Sequence, residues 1–404
     1  MRNVATAIHR LRGAPSSWMA DKPVRGVPSF DHALLMVVLI LLAFGLVMVY
    51  SSSLAVAEAR TADHSPYYYF VRHGVAIGMG LLLGGMISRV SIKRLKQQAP
   101  AIFIVCLILL VAVLVLGREV NGAKRWLSLG FFTMQPSELM KLSVVLFAAG
   151  YVVRKAEYLP ADRPMKATIV RGFLPLFAVM LVIGLLLLIE PDFGSFFVIA
   201  VIGFGILFLG GLDWRIILSL IVMLPLALYA VLRSAPYRLD RFIFLNPWQE
   251  PFGKGYQLTQ SEMAFGRGGF SGVGLGDGVT KLLYLPEAHT DFILAVIGEE
   301  LGFIGVLAVI LLFLWLLRRA WKIGTEATRL GQAFAALTAY GIGIWLGLQA
   351  FINMGSNMTI LPPKGITLPF LSYGGSGLVL DCLMIAVLLR VDYENKRLLM
   401  GHAI

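Results

Sequence analysis

The sequence predicts an all-α integral membrane protein with about ten transmembrane helices, both termini in the cytoplasm and one large extracytoplasmic loop. Of the 404 residues, 58% are hydrophobic and only 14% are charged. The apolar residues form long stretches, and about twenty such residues are needed for a helix to cross the roughly 30 Å hydrocarbon core of a bilayer. The 35 Lys and Arg residues gather mostly between alternate stretches, a pattern that sets orientation in a membrane.

Each apolar stretch is compatible with a spanning helix, although the third, sixth and tenth need flanking residues to reach full length. The stretches lie at residues 33–56, 68–86, 101–116, 137–153, 173–189, 196–209, 216–232, 292–317, 333–351 and 378–389. The first is longer than the core of a signal peptide, so we expect an uncleaved first span.

Short basic segments stay in the cytoplasm, and this rule orients the chain. We therefore expect a single polytopic domain over residues 33–390, between cytoplasmic tails at 1–32 and 391–404. The loops that face outward are predicted at residues 118–133, 190–195, 233–291 and 353–377. The loop 233–291 is the largest, and its amphipathic pieces at 238–248 and 257–265 are too short to cross the membrane.

The net charge of +12 does not indicate nucleic-acid binding, because most of it belongs to the predicted cytoplasmic rim. Cys106 and Cys382 both lie in apolar stretches, so no disulfide framework or cysteine metal site is expected.

Asp291 is the strongest catalytic candidate because it stands where the outer loop meets the eighth apolar stretch. A carboxylate at that interface can reach both a water-soluble and a lipid-bound reactant. The alternative is that Asp291 only caps the helix, since an acid in the first turn suits the helix dipole.

A glycine-rich segment at 266–276 precedes Asp291 and contains Arg267. Its backbone amides and the guanidinium could bind an anion. The segment could equally be a tight loop that needs positive φ angles.

Glu138 and Lys141 open the fourth stretch, three residues apart. They could form a local ion pair, as residues three apart on a helix do. Alternatively they could face a cavity and contact substrate, because burying an ionisable residue in a spanning helix costs free energy and such residues usually face a cavity. Glu190 and Asp192 form the turn before the sixth stretch, where acids suit a helix N-terminus.

Glu299 and Glu300 lie two helical turns beyond Asp291, about 12 Å deeper, so we expect an internal structural pair. The chain has no Asp-x-Asp element for a nucleotide-sugar metal. A lone acid at a membrane surface with cations nearby instead fits group transfer from a lipid-linked phosphate donor.

Several motifs together make the chain resemble the SEDS family (shape, elongation, division and sporulation). They are NGAKRW at 121–126, QPSE at 135–138, EPDFG at 190–194, GYQ at 255–257, LPEAHTDF at 285–292, GEELG at 298–302 and PFLSYGGS at 369–376. The segments 118–123 and 264–269 are closer to the division-type members than to the elongation-type members.

The resemblance implies a peptidoglycan glycosyltransferase that polymerises lipid II on the outer face of the bacterial cytoplasmic membrane at the division septum. It also implies a class B penicillin-binding protein as partner, among other membrane proteins of the division machinery. Asp291 is then the essential acid, acting as general base on the 4-hydroxyl of the acceptor.

The matched motifs and the mechanism also suggest substrate-binding residues. They are Arg125, Glu138, Lys141, Glu190, Asp192, Gln257, Arg267, His289, Lys364, Ser372 and Tyr373. The leaving diphosphate needs fixed cations or a divalent metal, so Mg²⁺ or Mn²⁺ is an optional cofactor. One residue departs from the family pattern: Asp381 lies inside the tenth stretch, where it should pair with a buried cation or face a cavity.

Two other functions fit the same pattern of intramembrane polar residues. A lipid II flippase would use Glu138, Lys141, Glu299 and Glu300 as its pathway. A non-catalytic division scaffold would tolerate replacement of Asp291.

Overall fold

A computed structural model describes residues 30–60, 65–120, 123–128, 130, 133–159, 164–222 and 244–402. Its helices, in chain order, are α1 His32–Arg60, α2 Tyr68–Ile87, α3 Ile92–Leu116, α4 Pro136–Lys155, α5 Met165–Ile189, α6 Phe193–Leu209, α7 Tyr256–Gly268, α8 Ile293–Arg329, α9 Ala333–Asn357 and α10 Gly375–Leu399. Residues 214–222 are also helical. The remainder of the predicted seventh span, 223–232, and the N-terminal tail to residue 29 lie outside the described residues.

Seven described helices are long and apolar enough to span a membrane: α1–α5, α8 and α9. The shorter apolar helix α6 corresponds to the sixth predicted span. The helix α10 is long enough to cross, but it carries Asp381, Arg390 and Asp392. Membrane-spanning helices are therefore confirmed, while the count of ten and the sidedness stay predictions.

Several helices extend beyond their apolar stretches because polar residues continue them. The helix α3 begins at Ile92 rather than 101, where the Ser91 side chain accepts a hydrogen bond from the Arg94 amide. The helix α10 runs to Leu399, beyond the expected boundary at 390, and buries Val391 and Asn395. The predicted C-terminal tail is thus largely a helical continuation of the membrane domain.

The predicted outer loop at 118–133 contains a small antiparallel sheet that the sequence analysis did not anticipate. Its strands are β1 Arg118–Val120, β2 Ala123–Ser128 and β3 Thr133–Met134, in the order β1-β2-β3. The second strand holds Arg125 next to the end of α5.

The helices α4 and α9 form the centre of the molecule. In the most apolar 18-residue stretch of each of these two helices, 78% is buried inside the protein, whereas in α2 the buried share is 22%. Both therefore pack on protein on nearly all sides, and polar side chains on them meet other helices rather than lipid.

The helix α8 is broken at Gly302, a feature that the predicted continuous span 292–317 missed. Gly302 has φ of 65°, which glycine adopts readily because it lacks a Cβ atom. A Cβ atom there would lie 2.3 Å from the Gly272 amide nitrogen, so close approach also requires glycine. The first turns of α8, from Ile293, are buried, and they place Asp291 at the outer end of the core.

Candidate functional site

Asp291 lies in the loop immediately before α8, and its side chain is partly exposed. The N-cap position of α8 belongs to Phe292, which makes no capping bond through its side chain. The structure therefore gives no support for the capping role. Asp291 is held through its backbone, and its carboxylate is not committed to a helix end.

Two asparagines of α9 hold the backbone of Asp291. The Nδ2 atoms of Asn353 and Asn357 both donate to the Asp291 carbonyl oxygen, at 2.9 and 2.8 Å. Asn357 Oδ1 also accepts a hydrogen bond of 3.1 Å from the Ala295 amide in the first turn of α8. The acid is thus fixed to the most buried part of the protein.

The 364–367 segment covers Asp291 from the other side. A Cβ atom at Gly365 would lie 3.6 Å from Asp291 Oδ2, so this glycine leaves the carboxylate room. The carbonyls of Ile366 and Thr367 accept from Asn353 Nδ2 (2.8 Å) and Gln349 Nε2 (3.1 Å). Lys364, at the start of the segment, lies with Nζ 4.8 Å from the centre of the Phe197 ring.

Gln349, Asn353 and Asn357 were not among the predicted site residues. They follow one another at intervals of four residues, which places them on one face of α9. Polar amides at that spacing in an otherwise apolar helix were the available signal.

Burial raises the pKa of Asp291 to about 7, and the nearby negative charge of Glu287 adds to this effect. A carboxylate is normally a weak base for a sugar hydroxyl, and a higher pKa strengthens it. A general base works best with a pKa near the operating pH.

A second cluster of candidates lies beside the 364–367 segment. Arg125 donates from Nε to the Glu190 carbonyl (3.1 Å) and from Nη2 to the Pro191 carbonyl (2.6 Å). Asp192 is the N-cap of α6, since its Oδ1 accepts from the Ser195 amide at 3.0 Å. The predicted helix-terminus role of Asp192 is therefore confirmed.

Glu190 differs from Asp192 because neither of its buried carboxyl oxygens has a hydrogen-bond partner among the described residues. Burial raises the pKa of Glu190 to about 8; the charge of Asp192 raises it further, while Arg125 lowers it. At neutral pH this group is mostly a neutral acid, able to donate a hydrogen bond.

The buried pair on α4 is a local ion pair. Lys141 Nζ lies 2.6 Å from Glu138 Oε1 and donates to Gln349 Oε1 at 3.1 Å. Lys141 is only 1% exposed, so it is built into the core. Through Gln349 it supports the Thr367 carbonyl. Direct contact of Lys141 with substrate stays a prediction that this geometry does not favour.

Asp381, the departure from the family pattern, is buried close enough to Lys141 and Glu138 to interact with their charges. Its Oδ2 accepts a 3.3 Å hydrogen bond from the Phe370 amide, and its Oδ1 has no hydrogen-bond partner in the described part of the chain. Lys141 is thus a buried cation in the neighbourhood, but no ion pair joins it to Asp381 among the described residues, so the expected pairing stays a prediction.

His289, Tyr373 and Tyr69 form an aromatic cluster next to Asp291. The Tyr69 ring centre lies 4.5 Å from that of His289 and 5.1 Å from that of Tyr373. The Tyr373 amide donates to the His289 carbonyl. Ser372 Oγ accepts from the Leu368 amide at 2.8 Å, so this side chain closes a turn.

The glycine-rich segment packs against the break in α8, and this geometry favours the tight loop over an anion site formed by its amides. A substrate-binding role of Arg267 stays a prediction. The amides of Val273 and Gly274 donate to the carbonyls of Glu299 and Glu300. Those amides are therefore already occupied. A Cβ atom at Gly272, where φ is 82°, would lie 2.1 Å from the Glu300 carbonyl oxygen. The reading as a tight loop that needs positive φ is confirmed.

Glu299 and Glu300 are structural, as expected. Glu299 accepts from the amides of Val279 and Thr280, and Glu300 pairs with Lys281 at 2.5 Å. Arg267 Nε lies 3.6 Å from Glu299 Oε1. Glu299 itself lies about two helical turns beyond Asp291 along α8.

Gln257 is half-buried in the first turn of α7. Neither Arg267 nor Gln257 has a recorded contact with Asp291 among the described residues.

Over the same described ranges, no three His, Cys, Asp or Glu side chains form a cluster suited to a metal ion. Mg²⁺ associated with phosphate substrates needs only one or two protein carboxylates. A divalent cation carried by the diphosphate therefore stays a prediction.

Asn353→Leu is expected to reduce activity strongly and stability moderately. The change leaves the Ile366 carbonyl without its side-chain donor, and a buried unpaired carbonyl costs about 1–3 kcal/mol. Displacement of Asp291 by about 1 Å can lower a rate about 100-fold. Measured kcat and unfolding temperature test this.

Thr338→Val, on the same helix and away from these contacts, is the matched control and should keep near-normal activity. Normal activity of Asn353→Leu would contradict the positioning role.

The family of cell cycle proteins that includes FtsW, RodA and SpoVE matches residues 31–397. A protein of Aromatoleum aromaticum named "probable peptidoglycan glycosyltransferase FtsW" is 50% identical over 384 residues, covering 94% of this chain and 92% of the relative. A protein of the same name from Nitrosomonas europaea is 48% identical over 379 residues, covering 93% of this chain and 95% of the relative.

Solved structures show the same fold. A chain in a structure described as "Structural coordination of polymerization and crosslinking by a peptidoglycan synthase complex" has a TM-score of 0.72 and 29% identity, covering 91% of this chain and 98% of its own length. The rod shape determining protein RodA of Thermus thermophilus has a TM-score of 0.65 and 28% sequence identity, and the match covers 91% of this chain and 97% of RodA.

Proposed function

Because the chain belongs to the FtsW, RodA and SpoVE family of cell cycle proteins, we propose that Asp291 is the general base of its glycosyl-transfer reaction. The chain is a multi-pass membrane protein with peptidoglycan glycosyltransferase activity, which follows from relatives at 43–50% identity that carry that name. The resemblance to the SEDS family is confirmed. The assignment to Asp291 rests on its half-buried position, its raised pKa and its fixed backbone.

In the proposed reaction, Asp291 accepts the proton of the 4-hydroxyl of the acceptor's N-acetylglucosamine. The oxygen attacks the anomeric carbon of the lipid II donor, and the bond to undecaprenyl pyrophosphate breaks. A single displacement inverts the anomeric centre and produces a β-linked strand. The electron pair of the broken bond leaves with the pyrophosphate.

In this proposal Lys364 and Arg125 offset the charge of the leaving group. Lys364 adjoins Gly365, which lies against the carboxylate, and Arg125 is held at the start of α6. Fixed cations of this kind stabilise developing charge without reorganisation during the reaction. Glu190 is buried beside Arg125, so any contribution of its carboxyl to the leaving group is indirect.

A partner protein is part of the proposed function. The structurally similar chain described above comes from a peptidoglycan synthase complex that coordinates polymerization and crosslinking. We infer a class B penicillin-binding protein as the crosslinking partner of this chain, and the division septum as its place in the cell.

Polymerisation of purified lipid II distinguishes this function from the two alternatives. The protein, with its partner present, should convert lipid II into glycan strands in detergent, where no membrane separates two compartments. A flippase or a scaffold would leave the lipid II unchanged under these conditions. Addition of EDTA to the same reaction tests the divalent cation. Absence of strands with the folded complex would reject the polymerase function.

A further inference from the structure

A groove of about 510 Å³ lies at the end of the molecule opposite Asp291. It is bounded by α1, α2 and α10, and its walls include Leu35, Gly84, Gly85 and Ile385. The volume falls within the range of about 300–1,000 Å³ for pockets that hold small organic ligands. Because the walls are apolar, the interior suits a hydrocarbon chain.

The groove is distinct from the catalytic site. Tyr69, near the start of α2, contacts His289 beside Asp291, whereas Arg89 at the groove follows the other end of α2. Twenty residues separate these two positions, which corresponds to about 30 Å along a helix. The groove is therefore a separate binding site from the one at Asp291.

The mouth of the groove is basic. Arg89 and Arg390 both line it. Arg390 is engaged, since its Nε donates to Glu394 at 2.8 Å and its Nη1 to the Ser88 carbonyl at 3.4 Å. Arg89 is exposed and has no ion-pair partner among the described residues. One positive charge at the mouth is thus left uncompensated.

We propose that this groove binds an anionic glycerophospholipid of the surrounding leaflet, with an acyl chain between α2 and α10 and the phosphate against Arg89. Arginine pairs well with phosphate oxygens because its donors form a fixed fork. Basic pockets between transmembrane helices at the cytoplasmic side are suited to anionic lipid head groups. The apolar walls do not suit free phosphate, and the unpaired cation favours an anionic over a zwitterionic lipid.

Two substitutions test the two halves of the site. Gly85→Leu places a side chain in the groove, and no neighbouring atom lies within 4 Å of the new Cβ position. Gly78→Leu is its control, because Gly78 lies two turns earlier on α2, is equally open and does not line the groove. Arg89→Gln removes the free charge, with Lys93→Gln, at an exposed lysine that does not line the groove, as its control.

The measurement is the rise in unfolding temperature of the full chain in detergent as dioctanoyl phosphatidylglycerol is added. Dioctanoyl phosphatidylcholine and glycerol 3-phosphate are the comparison ligands. A ligand at free concentration L that binds only the folded state stabilises it by RT ln(1 + L/Kd), so the unfolding temperature rises with the logarithm of the ligand concentration above Kd.

The proposal predicts that phosphatidylglycerol binds more tightly than phosphatidylcholine and that glycerol 3-phosphate has no effect at the same concentration. Arg89→Gln should weaken phosphatidylglycerol about fivefold, as expected for one basic residue. Gly85→Leu should weaken it about tenfold or more, since the added side chain fills the space of the acyl chain.

The two control variants should bind phosphatidylglycerol as the unchanged protein does. Equal stabilisation by both lipids would overturn the preference for an anionic lipid. Unchanged binding by Gly85→Leu would overturn the assignment to this groove, and stabilisation by glycerol 3-phosphate alone would show a phosphate site instead.

Discussion

Asp291→Asn is expected to lower kcat by about 100- to 10,000-fold, the usual contribution of a general base. The amide keeps the shape of the carboxyl and cannot accept the proton. The same change should stabilise the fold at neutral pH, because it removes a charge whose ionisation burial disfavours. Glycan synthesis and unfolding temperature, measured on the same preparations, test both effects.

The gain in stability should depend on pH with a definite sign. The pKa of Asp291 is raised from 3.8 to about 7, so the folded protein binds this proton more tightly than the unfolded chain. That contribution to stability is fully present below about pH 4 and is lost as the pH rises through 7. The advantage of Asp291→Asn should therefore grow across this window.

Glu287→Gln is the matched control for the charge change. Glu287 is exposed and raises the pKa of Asp291, so its removal should lower that pKa and keep most activity. Asp291→Glu should stay well below the normal rate, because an added methylene misplaces the carboxylate. An Asp291→Asn protein that polymerises normally would show that Asp291 is not the base.

Lys141→Met is expected to be the most destabilising of these changes, by roughly 3–5 kcal/mol. Methionine fills a similar volume, but Glu138 then keeps a buried charge without its cation. Asp381, which also interacts with the charge of Lys141, loses the same neutralisation. Unfolding in denaturant or by heat measures the loss.

The double variant Lys141→Met with Glu138→Gln should recover much of the stability and the activity, since Glu138 then carries no charge and only Asp381 still lacks the cation. Lys124→Met, at an exposed lysine of β2, is the control and should change stability by less than about 0.5 kcal/mol. A stable double variant without activity would mean that Lys141 contacts the substrate, contrary to its position in the core.

Hydropathy predicted most of the helices because their apolar residues face lipid or other helices along nearly their whole length. It missed what local backbone geometry and tertiary contacts determine. The break at Gly302 depends on the approach of Gly272, which lies thirty residues earlier. The polar end of α10 is helical because Glu394 reaches the Ile92 amide, a contact that no local pattern reveals.

The catalytic candidate was predictable because Asp291 combines charge with a position at a helix start. Its supporting residues were harder to find, since Asn353 and Asn357 act through the Asp291 carbonyl and carry no charge themselves. The glycine-rich segment was ambiguous because glycines suit two different arrangements. The backbone amides can point toward a bound anion, or they can donate to the carbonyls of Glu299 and Glu300. Only the tertiary partner separates these two cases.

The pH dependence of glycan polymerisation tests the role of Asp291 most directly. Only the ionised carboxylate accepts a proton, so kcat/KM for lipid II should rise with pH and level off above an apparent pKa of about 7. Glu287→Gln should move that midpoint to lower pH, because it removes the charge that helps to raise it. A rate that is flat between pH 5 and 9, or a midpoint unchanged in Glu287→Gln, would contradict the assignment of Asp291 as the base.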